Sequence, residues 1–266
     1  MEQNVNSHFN KMNTIQKIAI VTGAARGIGL AITNKFLADG YAVALIDIDA
    51  ATLADTAAEL HGQPILAVEC DVSDPLQVQS SIEKITAHFG RIDSLVNNAG
   101  VAVFKPALET TFEEWTRVMA TNLNGPFLCT QACVPVMLKN GGGSVVNIAS
   151  ISGLRASTLR IAYGTSKAAL MHLTKQQAVE YGNAGIRVNA VAPGPVETAM
   201  ALQVHTADIR TSYADAIPLA RCGTVDEIAN AATFLCSDAA SFINGQILAV
   251  DGGFDASGVG LPSLRN

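Results

Sequence analysis

The sequence predicts an α/β protein: one doubly wound parallel sheet with helices on both faces. Short β-branched runs alternate with helical segments along the chain of 266 residues, with no change of composition between its halves. Such alternation requires crossover connections between parallel strands. The apolar runs are short, as expected of strands that are buried on both faces. We therefore expect a single domain over residues 14–266 whose ligand binds at the carboxyl ends of the strands.

Each predicted strand is a short apolar run that stops at a polar or glycine residue. The first run, IAIVT, ends at Gly23, the second ends at Asp47, and the third ends just before Asp71. The fifth follows three consecutive glycines, which mark a turn. In chain order, the predicted strands are residues 18–22, 42–46, 65–68, 94–97, 144–148, 187–191 and 247–250.

The predicted helices combine helical spacing of apolar residues with sequence signals for their ends. Gly40 follows the first helix, and Pro75 stands at the first position of the third, after Ser73 or Asp74 as the capping residue. In chain order, the predicted helices are residues 28–39, 50–60, 75–89, 112–122, 127–138, 163–181 and 225–236.

Composition and charge exclude several classes of protein. With 49% hydrophobic and 15% charged residues the chain can bury a large core, which excludes a mainly disordered protein. The net charge is −6 and no cluster of Lys and Arg stands out, so we expect neither a nucleic-acid nor a membrane partner. Residues 1–13 are polar and lack the apolar segment of a signal peptide. We expect a flexible N-terminal extension on a cytoplasmic protein with five reduced cysteines.

A glycine-rich turn joins the first predicted strand to the first helix. A dinucleotide needs a sharp turn there, a backbone that approaches the pyrophosphate, and a helix N-terminus that points at it. Gly23, Gly27 and Gly29 supply these three conditions in the segment TGAARGIG. The strand before and the helix after this segment make a dinucleotide site the favoured interpretation over an ordinary glycine-rich turn.

Asp47 predicts which dinucleotide binds. It lies eighteen residues after Gly29, at the end of the second strand, where a carboxylate can accept hydrogen bonds from the adenosine ribose. The same carboxylate would repel a 2′-phosphate, which favours NAD over NADP. Arg26 in the turn is the counter-argument, since its cation could attract that phosphate.

Three residues predict acid–base chemistry at the same edge of the sheet. Tyr163 and Lys167 are four apart on a predicted helix, so they share a face, and an ammonium beside a phenol lowers the pKa of the phenol. Ser150 follows the fifth strand and can hydrogen-bond a reacting oxygen. Together they could exchange a proton with an alcohol or ketone while a nicotinamide exchanges the hydride.

These motifs together resemble the short-chain dehydrogenase/reductase family, over residues 18–253. The motifs occur in the order and at the spacing of the family, and they are TGAARGIG (22–29), DV (71–72), NNAG (97–100), NLNGPF (122–127), Ser150, YGTSK (163–167), PGPVET (193–198) and DGG (251–253). By this resemblance Tyr163 is the general acid and base, Lys167 lowers its pKa and holds the nicotinamide ribose, and Ser150 orients the substrate oxygen. Asn122 would anchor a water that links Lys167 to solvent.

The resemblance also implies a set of cofactor contacts. Asp71 and Val72 would contact the adenine, Asn98 would line the cofactor cleft, and Val196 and Thr198 would hold the carboxamide and phosphates. With the turn and the Tyr–Lys pair, the expected cofactor-binding residues are Gly23, Arg26, Gly27, Ile28, Gly29, Asp47, Asp71, Val72, Asn98, Tyr163, Lys167, Val196 and Thr198. It further implies a substrate lid over about 195–220, a homotetramer, and a Rossmann fold whose chemistry needs no metal.

The first functional hypothesis is an NAD-dependent oxidoreductase that interconverts a secondary alcohol, such as a polyol or small diol, and its ketone. The alternatives are an NADPH-dependent 3-oxoacyl thioester reductase, which Asp47 disfavours, and a non-catalytic nucleotide-binding regulator. The intact set of Ser150, Tyr163, Lys167 and Asn122 disfavours the regulator. The substrate itself cannot be read from the sequence. Arg155 and Arg160 could bind an acidic substrate, although loop arginines are usually solvated.

Overall fold

The computed structural model describes residues 16–198 and 206–257. Seven parallel strands form one sheet in the order β3-β2-β1-β4-β5-β6-β7. Their bounds are Ile18–Thr22 (β1), Ala42–Asp47 (β2), Ile65–Glu69 (β3), Ser94–Asn97 (β4), Gly143–Ile148 (β5), Ile186–Pro193 (β6) and Ile247–Val250 (β7). The predicted fold class is confirmed, and each predicted strand agrees with the structure to within two residues at either end.

Nine α-helices are described. Their bounds are Gly27–Ala38 (α1), Ala50–Glu59 (α2), Pro75–Phe89 (α3), Phe112–Met119 (α4), Gly125–Lys139 (α5), Ile151–Leu154 (α6), Ile161–Tyr181 (α7), Ala207–Ala216 (α8) and Val225–Cys236 (α9). Asp74, rather than Ser73, caps α3, because its carboxylate accepts hydrogen bonds from the backbone N–H groups of Leu76 and Gln77. The sequence did not predict α6 or α8.

Alternating residues of each strand supply the two cores. On one face Val21, Leu45 and Val146 pack against Phe36 of α1 and Ile228 of α9. The opposite face is covered by α3 and α5, and its core includes Ile20, Ile46, Leu95, Val145, Ile82, Ile85, Cys133 and Met137. Burial on both faces explains why the strand sequences are apolar without a polar alternation.

The sheet topology fixes where a ligand can bind. The strand order reverses between β1 and β4, because β2 and β3 lie on one side of β1 while β4 to β7 lie on the other. Crevices in such sheets open beyond the carboxyl ends of the strands at this reversal. The glycine-rich turn after β1 and the loops after β4 and β5 meet there.

One prediction about helices is wrong. Residues 112–122 and 127–138 were expected to form two separate helices, but a π-helical turn, Ala120–Asn124, joins α4 to α5 without a break. Pro126 has no N–H group, so it cannot donate to the carbonyl of Asn122, four residues earlier. The wider turn accommodates this defect inside a continuous helical run.

Two further predictions fall wholly or partly outside the described residues. The expected N-terminal extension, residues 1–13, lies outside them. The expected lid, about 195–220, is described except for residues 199–205, and its described part contains α8.

Candidate active site

The three glycines of the turn after β1 differ in what surrounds them. Gly23 has a φ of +63°, and a Cβ there would lie 2.9 Å from the Cα of Ala99. A Cβ on Gly29 would overlap the carbonyl oxygen of Gly23, so α1 packs directly on the turn. Gly27, with a φ of +58°, has no atom within 4 Å of a Cβ position, which leaves its backbone accessible from outside.

Polar side chains hold this turn in place. The carboxylate of Asp47 accepts hydrogen bonds from the backbone N–H of Ala25 and of Asp49, both at 3.0 Å. The amide nitrogen of Asn98 donates to the carbonyls of Thr22 and Gly23, also at 3.0 Å. Asp47 and Asn98 therefore support the conformation of the turn, whatever else they contact.

Arg26, whose positive charge could attract the 2′-phosphate of NADP, has an acidic partner. Arg26 Nη1 lies 2.9 Å from Asp49 Oδ2, and the same nitrogen lies 3.4 Å from Thr52 Oγ1. Asp49 also caps α2 through the N–H of Thr52. With Asp47 two residues before Asp49, the end of β2 carries two carboxylates beside one paired guanidinium.

The segment after β3 forms the next wall of the crevice. Asp71 Oδ1 accepts hydrogen bonds from the N–H and hydroxyl of Ser73, at 2.9 and 2.7 Å. Val72 is buried against the start of α5, where a Cβ on Gly125 would lie only 2.8 Å from Val72 Cγ2. This close contact ties the loop after β3 to the π-helical turn.

Ser150, Tyr163 and Lys167 converge beyond the end of β5. Ser150 caps α6, and its hydroxyl interacts with that of Tyr163 on α7. Lys167, one turn further along α7, is only 4% exposed, and its Nζ donates to the carbonyl of Ile148 at 2.7 Å. The same Nζ lies 5.8 Å from the centre of the Tyr163 ring.

The pKa values of this group differ from the expectation. Burial raises the pKa of Tyr163, while a hydrogen bond from Ser150 and the charge of Arg160 act in the opposite direction. Burial lowers the pKa of Lys167 to about 8. The groups that favour the phenolate are therefore Ser150 and Arg160, and burial outweighs them. The lowering of the Tyr163 pKa by Lys167 stays a prediction.

Asn122 lies in the π-helical turn and joins this group to the loop after β4. Its Oδ1 accepts from the N–H of Val101 at 2.8 Å, and its Nδ2 donates to the carbonyl of Val101 and to Ser166 Oγ, at 2.9 and 3.0 Å. Ser166 in turn donates to the carbonyl of Tyr163 at 2.7 Å. A Cβ on Gly100 would lie 3.3 Å from Asn122 Oδ1 and 3.5 Å from Lys167 Nζ, so glycine keeps these groups close together.

The sequence did not indicate a second cluster, which lies at the rim beside Tyr163. Arg160 donates to Ser152 Oγ at 3.2 Å and to the hydroxyl of Tyr213 on α8 at 3.4 Å. Its guanidinium lies 5.2 Å from the centre of the Phe104 ring. These contacts join residues far apart in the chain, so the sequence named Arg160 only as a loop arginine that could bind an acidic substrate and did not predict its partners.

The C-terminal part of the described chain also reaches this rim. Arg155 donates to the carbonyl of Phe254 at 2.6 Å, and its guanidinium lies 4.5 Å from the centre of the Phe254 ring. The Phe254 ring packs edge-on against Tyr213, with 6.1 Å between the ring centres. The segment after β7 therefore contacts both α8 and the loop after α6.

The last expected cofactor residues follow β6. Val196 is buried and forms a parallel bridge with Gly223, which fixes the start of the expected lid. Thr198 is half-buried and is the last residue described before position 206. Ile28 is half-buried at the start of α1.

The residues of the crevice fit a nicotinamide dinucleotide. No side chain in the described ranges caps α1, so its first N–H groups and the open face of Gly27 can receive a pyrophosphate. The Tyr163 and Lys167 side chains lie at the other end of the crevice, beyond β5. Within residues 16–198 and 206–257 there is no cluster of three or more His, Cys, Asp or Glu that could hold a metal, and no helix has the length and hydropathy of a bilayer span.

Comparison with known proteins gives matches over most of the chain. The family described as enoyl-(acyl carrier protein) reductase matches residues 23–255. The 2-(R)-hydroxypropyl-CoM dehydrogenase of Xanthobacter autotrophicus is 42% identical, over 91% of this chain and 100% of that one. D-threitol dehydrogenase of Mycolicibacterium smegmatis is 41% identical, over 90% and 92% of the two chains. A 3-oxoacyl-acyl-carrier-protein reductase of Thermotoga maritima is 38% identical, over 89% and 97%.

A solved structure agrees with these sequence matches. The gluconate 5-dehydrogenase from Burkholderia cenocepacia, in complex with NADP and tartrate, superposes with a TM-score of 0.87 at 34% identity. The match covers 91% of this chain and 96% of that one.

Proposed function

The chain belongs to the short-chain dehydrogenase/reductase family, oxidoreductases that act on CH–OH groups with a nicotinamide cofactor, and from that premise we propose an NAD-dependent dehydrogenase. Its substrate is a small hydroxy compound with a secondary alcohol, such as a polyol or diol, which it interconverts with the ketone. The observation that carries the proposal is the convergence of Ser150, Tyr163 and Lys167 beyond β5.

In this mechanism Tyr163 exchanges the proton with the substrate oxygen. The hydroxyl of Ser150, which hydrogen-bonds Tyr163 in the free protein, would turn its single O–H toward the substrate oxygen and hold that oxygen beside the phenol. A nicotinamide cofactor held by Tyr163 and Lys167 would supply or accept the hydride. Tyr163 must lose its own proton before it can accept one from an alcohol. Because burial raises the pKa of Tyr163, we expect the rate of alcohol oxidation to increase toward alkaline pH.

Lys167 and Asn122 support the proton transfer. Lys167 would hold the nicotinamide ribose and return protons to Tyr163. The carbonyl of Asn122 receives no hydrogen bond from Pro126, so it can accept one from a water that connects Lys167 to solvent. The side chain of Asn122 cannot take this part freely, because both ends of its amide bind Val101.

The preference for NAD depends on the end of β2. Asp47 stands at the ribose position, and the carboxylate of Asp49 pairs with Arg26, the nearest cation of the turn. Two acids beside one paired base disfavour a 2′-phosphate. The similar structure with bound NADP is that of another protein, the gluconate 5-dehydrogenase, and does not define the cofactor preference of this chain.

A titration with NADH and NADPH tests the cofactor preference. We expect tighter binding of NADH, and we expect Asp47→Ala to reduce the ratio of the two affinities by about tenfold or more. Glu59→Ala, which removes an exposed acid at the far end of α2, the helix that follows β2, is the control for net charge. Equal binding of NADH and NADPH by the wild type would contradict the proposal.

The substitution Tyr163→Phe tests the acid–base assignment. We expect kcat/KM for alcohol oxidation to fall by about 10²–10⁴, because general acid–base catalysis is lost. The affinity for NADH should stay the same, since the ring remains. Tyr181→Phe, at the other end of α7, removes a hydroxyl outside the crevice and should keep full turnover. A Tyr163→Phe enzyme with the wild-type rate would overturn the mechanism.

One of the similar proteins supports a second candidate for the substrate class. One of them is named as a 3-oxoacyl-acyl-carrier-protein reductase, so an acyl thioester is an alternative substrate class. A rate assay with acetoacetyl thioester and NADPH, compared with small diols and NAD, separates the two. We also propose that the enzyme works as a homotetramer in the cytoplasm, as the family resemblance implies.

A further inference from the structure

Arg160 is a cation beside the reaction site whose described partners are all neutral. Its guanidinium donates hydrogen bonds to the hydroxyls of Ser152 and Tyr213, and its stacking partner is the ring of Phe104. No carboxylate within the described residues lies close enough to form an ion pair with it. Outside the described residues the chain has only two carboxylates, that of Glu2 and that of its last residue.

The position of Arg160 brings its positive charge close to Tyr163 and Ser150, where the substrate oxygen would bind. It is the N-cap residue of α7, and Tyr163 is the third residue of the same helix. Residues three apart in a helical turn are neighbours, and the charge of Arg160 acts on the Tyr163 phenol. Ser152, which holds the guanidinium, also donates its backbone N–H to Ser150 Oγ at 3.1 Å, so Arg160 and Ser150 are fixed by one short segment.

The contacts also make Arg160 well ordered. Three separate parts of the chain hold its guanidinium: the loop after β4 through Phe104, the segment of α6 through Ser152, and α8 through Tyr213. A guanidinium has five N–H donors in a rigid fork, and two contacts with hydroxyls leave donors for another acceptor. A half-buried cation is unfavourable when the described part of the chain gives it no anionic partner, so an anion supplied by the substrate would be bound strongly.

We propose that Arg160 is a specificity-determining residue that binds a carboxylate on the substrate, so that the enzyme acts on hydroxy acids and the corresponding oxo acids in preference to neutral alcohols. This inference rests on the proposed function and narrows its substrate class. The neighbouring Arg155 does not share this role, because its guanidinium is bound by the carbonyl and the ring of Phe254.

The experiment compares pairs of secondary alcohols in which one member has a carboxylate where the other has a neutral hydroxymethyl group. The probes are 3-hydroxybutanoate against 1,3-butanediol, and lactate against 1,2-propanediol, each as the racemate with the oxidised cofactor that the wild type accepts. We expect the wild type to show the higher kcat/KM for the acid in at least one pair. In that pair we expect Arg160→Gln to lower the ratio of acid to diol by about tenfold or more, mainly through KM. The ratio isolates substrate binding, because an effect of Arg160 on Tyr163 acts on both probes.

Two further variants distinguish a direct contact between Arg160 and the substrate from a general electrostatic effect of the positive charges near the reaction site. Arg160→Lys keeps the charge and should give a ratio between those of the wild type and Arg160→Gln. Arg155→Gln removes the same charge from the same rim and should keep the wild-type ratio. A loss in Arg155→Gln equal to that in Arg160→Gln, or an unchanged ratio in Arg160→Gln, would overturn the proposal.

The outcomes also distinguish this inference from the function on which it rests. If the wild type oxidises the diols as well as or better than both acids, the role of Arg160 is wrong and the dehydrogenase stands. If no alcohol or acid is oxidised with NAD or NADP, the proposed function itself fails, and this inference fails with it.

Discussion

Lys167 places an ammonium where little water can reach it. The residue is 4% exposed, and its Nζ donates to the carbonyl of Ile148. Burial disfavours the charged form, which explains why its pKa falls to about 8. The protein therefore holds a costly charge at neutral pH, as expected for a residue kept for its chemistry.

This pKa makes a prediction for stability. Between pH 8 and 10.5 the unfolded chain binds more protons at Lys167 than the folded chain, so the contribution of this residue to the free energy of unfolding rises with pH. The total gain is about 3 kcal/mol from the 2.5-unit difference between the two pKa values. Urea unfolding of the wild type and Lys167→Met at pH 7.5, 8.5 and 9.5 measures it.

The quantity to compare across pH is the difference in free energy of unfolding between the wild type and Lys167→Met. Burial raises the pKa of Cys129 to about 12 and that of Cys236 to about 11, so these thiols make the folded state less stable as pH rises above 9. Both proteins contain them, and their effect cancels in the difference. We expect the wild type to gain stability relative to Lys167→Met with increasing pH; a constant difference would contradict the assigned pKa.

Among single residues, those defined by local spacing could be predicted from the sequence. Gly23, Gly27 and Gly29 lie within one turn, and Tyr163 and Lys167 lie within one turn of one helix. Arg160 could not be assigned, because its partners Phe104 and Tyr213 lie more than fifty residues away from it in the chain. The pKa of Tyr163 could not be predicted either, since it depends on burial.

At the scale of elements, helix α1 has a glycine with positive φ at each end, and the two glycines have different surroundings. Gly27, the first residue of α1, and Gly40, after its last turn, both have positive φ, +58° and +85°, and neither has an atom within 4 Å of a Cβ position. Only Gly27 faces the crevice. The two glycines therefore form a matched pair for separating backbone strain from cofactor binding.

We expect Gly27→Ala and Gly40→Ala to lower the free energy of unfolding by similar amounts, about 1–2 kcal/mol each, because alanine is strained at positive φ. Only Gly27→Ala should weaken NADH binding, since its methyl group stands where the pyrophosphate approaches the backbone. Urea unfolding and fluorescence titration with NADH measure the two effects. Equal losses of NADH affinity in both variants would mean that Gly27 acts only through strain.

The helices whose bounds were predicted well have clear signals at both ends. Asp74 and Pro75 define the start of α3, and Gly90 with a φ of +77° ends it. The join between α4 and α5 had the opposite signal, because Gly125 and Pro126 usually interrupt a helix. Tertiary contacts decide the outcome there: Val72 packs on Gly125, and Asn122 binds the backbone of Val101.

At the scale of the whole molecule, the sheet has an edge strand that its own helices leave partly uncovered. Three residues of β7 are half-buried and Leu248 is exposed, and Phe242, shortly before this strand, is fully exposed. Exposed strand edges and aromatic side chains are covered in most soluble proteins. A second copy of the chain is the cover that the family resemblance implies.

We therefore expect light scattering to give a mass of four times the 27.7 kDa chain. Phe242→Asp should lower this mass, because a charge at the β7 edge disfavours the contact between copies. Leu76→Asp, an equally drastic change at an exposed residue of α3, should leave the mass unchanged. A monomeric wild type would contradict the expected assembly.

The contact of Phe254 with Arg155 and Tyr213 has a practical consequence for work in the laboratory. The chain continues for twelve residues beyond Phe254, and a purification handle fused there would pull on the segment that forms the rim of the reaction site. A handle at the amino terminus would precede β1, whose first residue lies at the opposite edge of the parallel sheet from that rim. Enzymologists comparing preparations should expect the two fusions to differ in KM for the alcohol more than in affinity for the nucleotide.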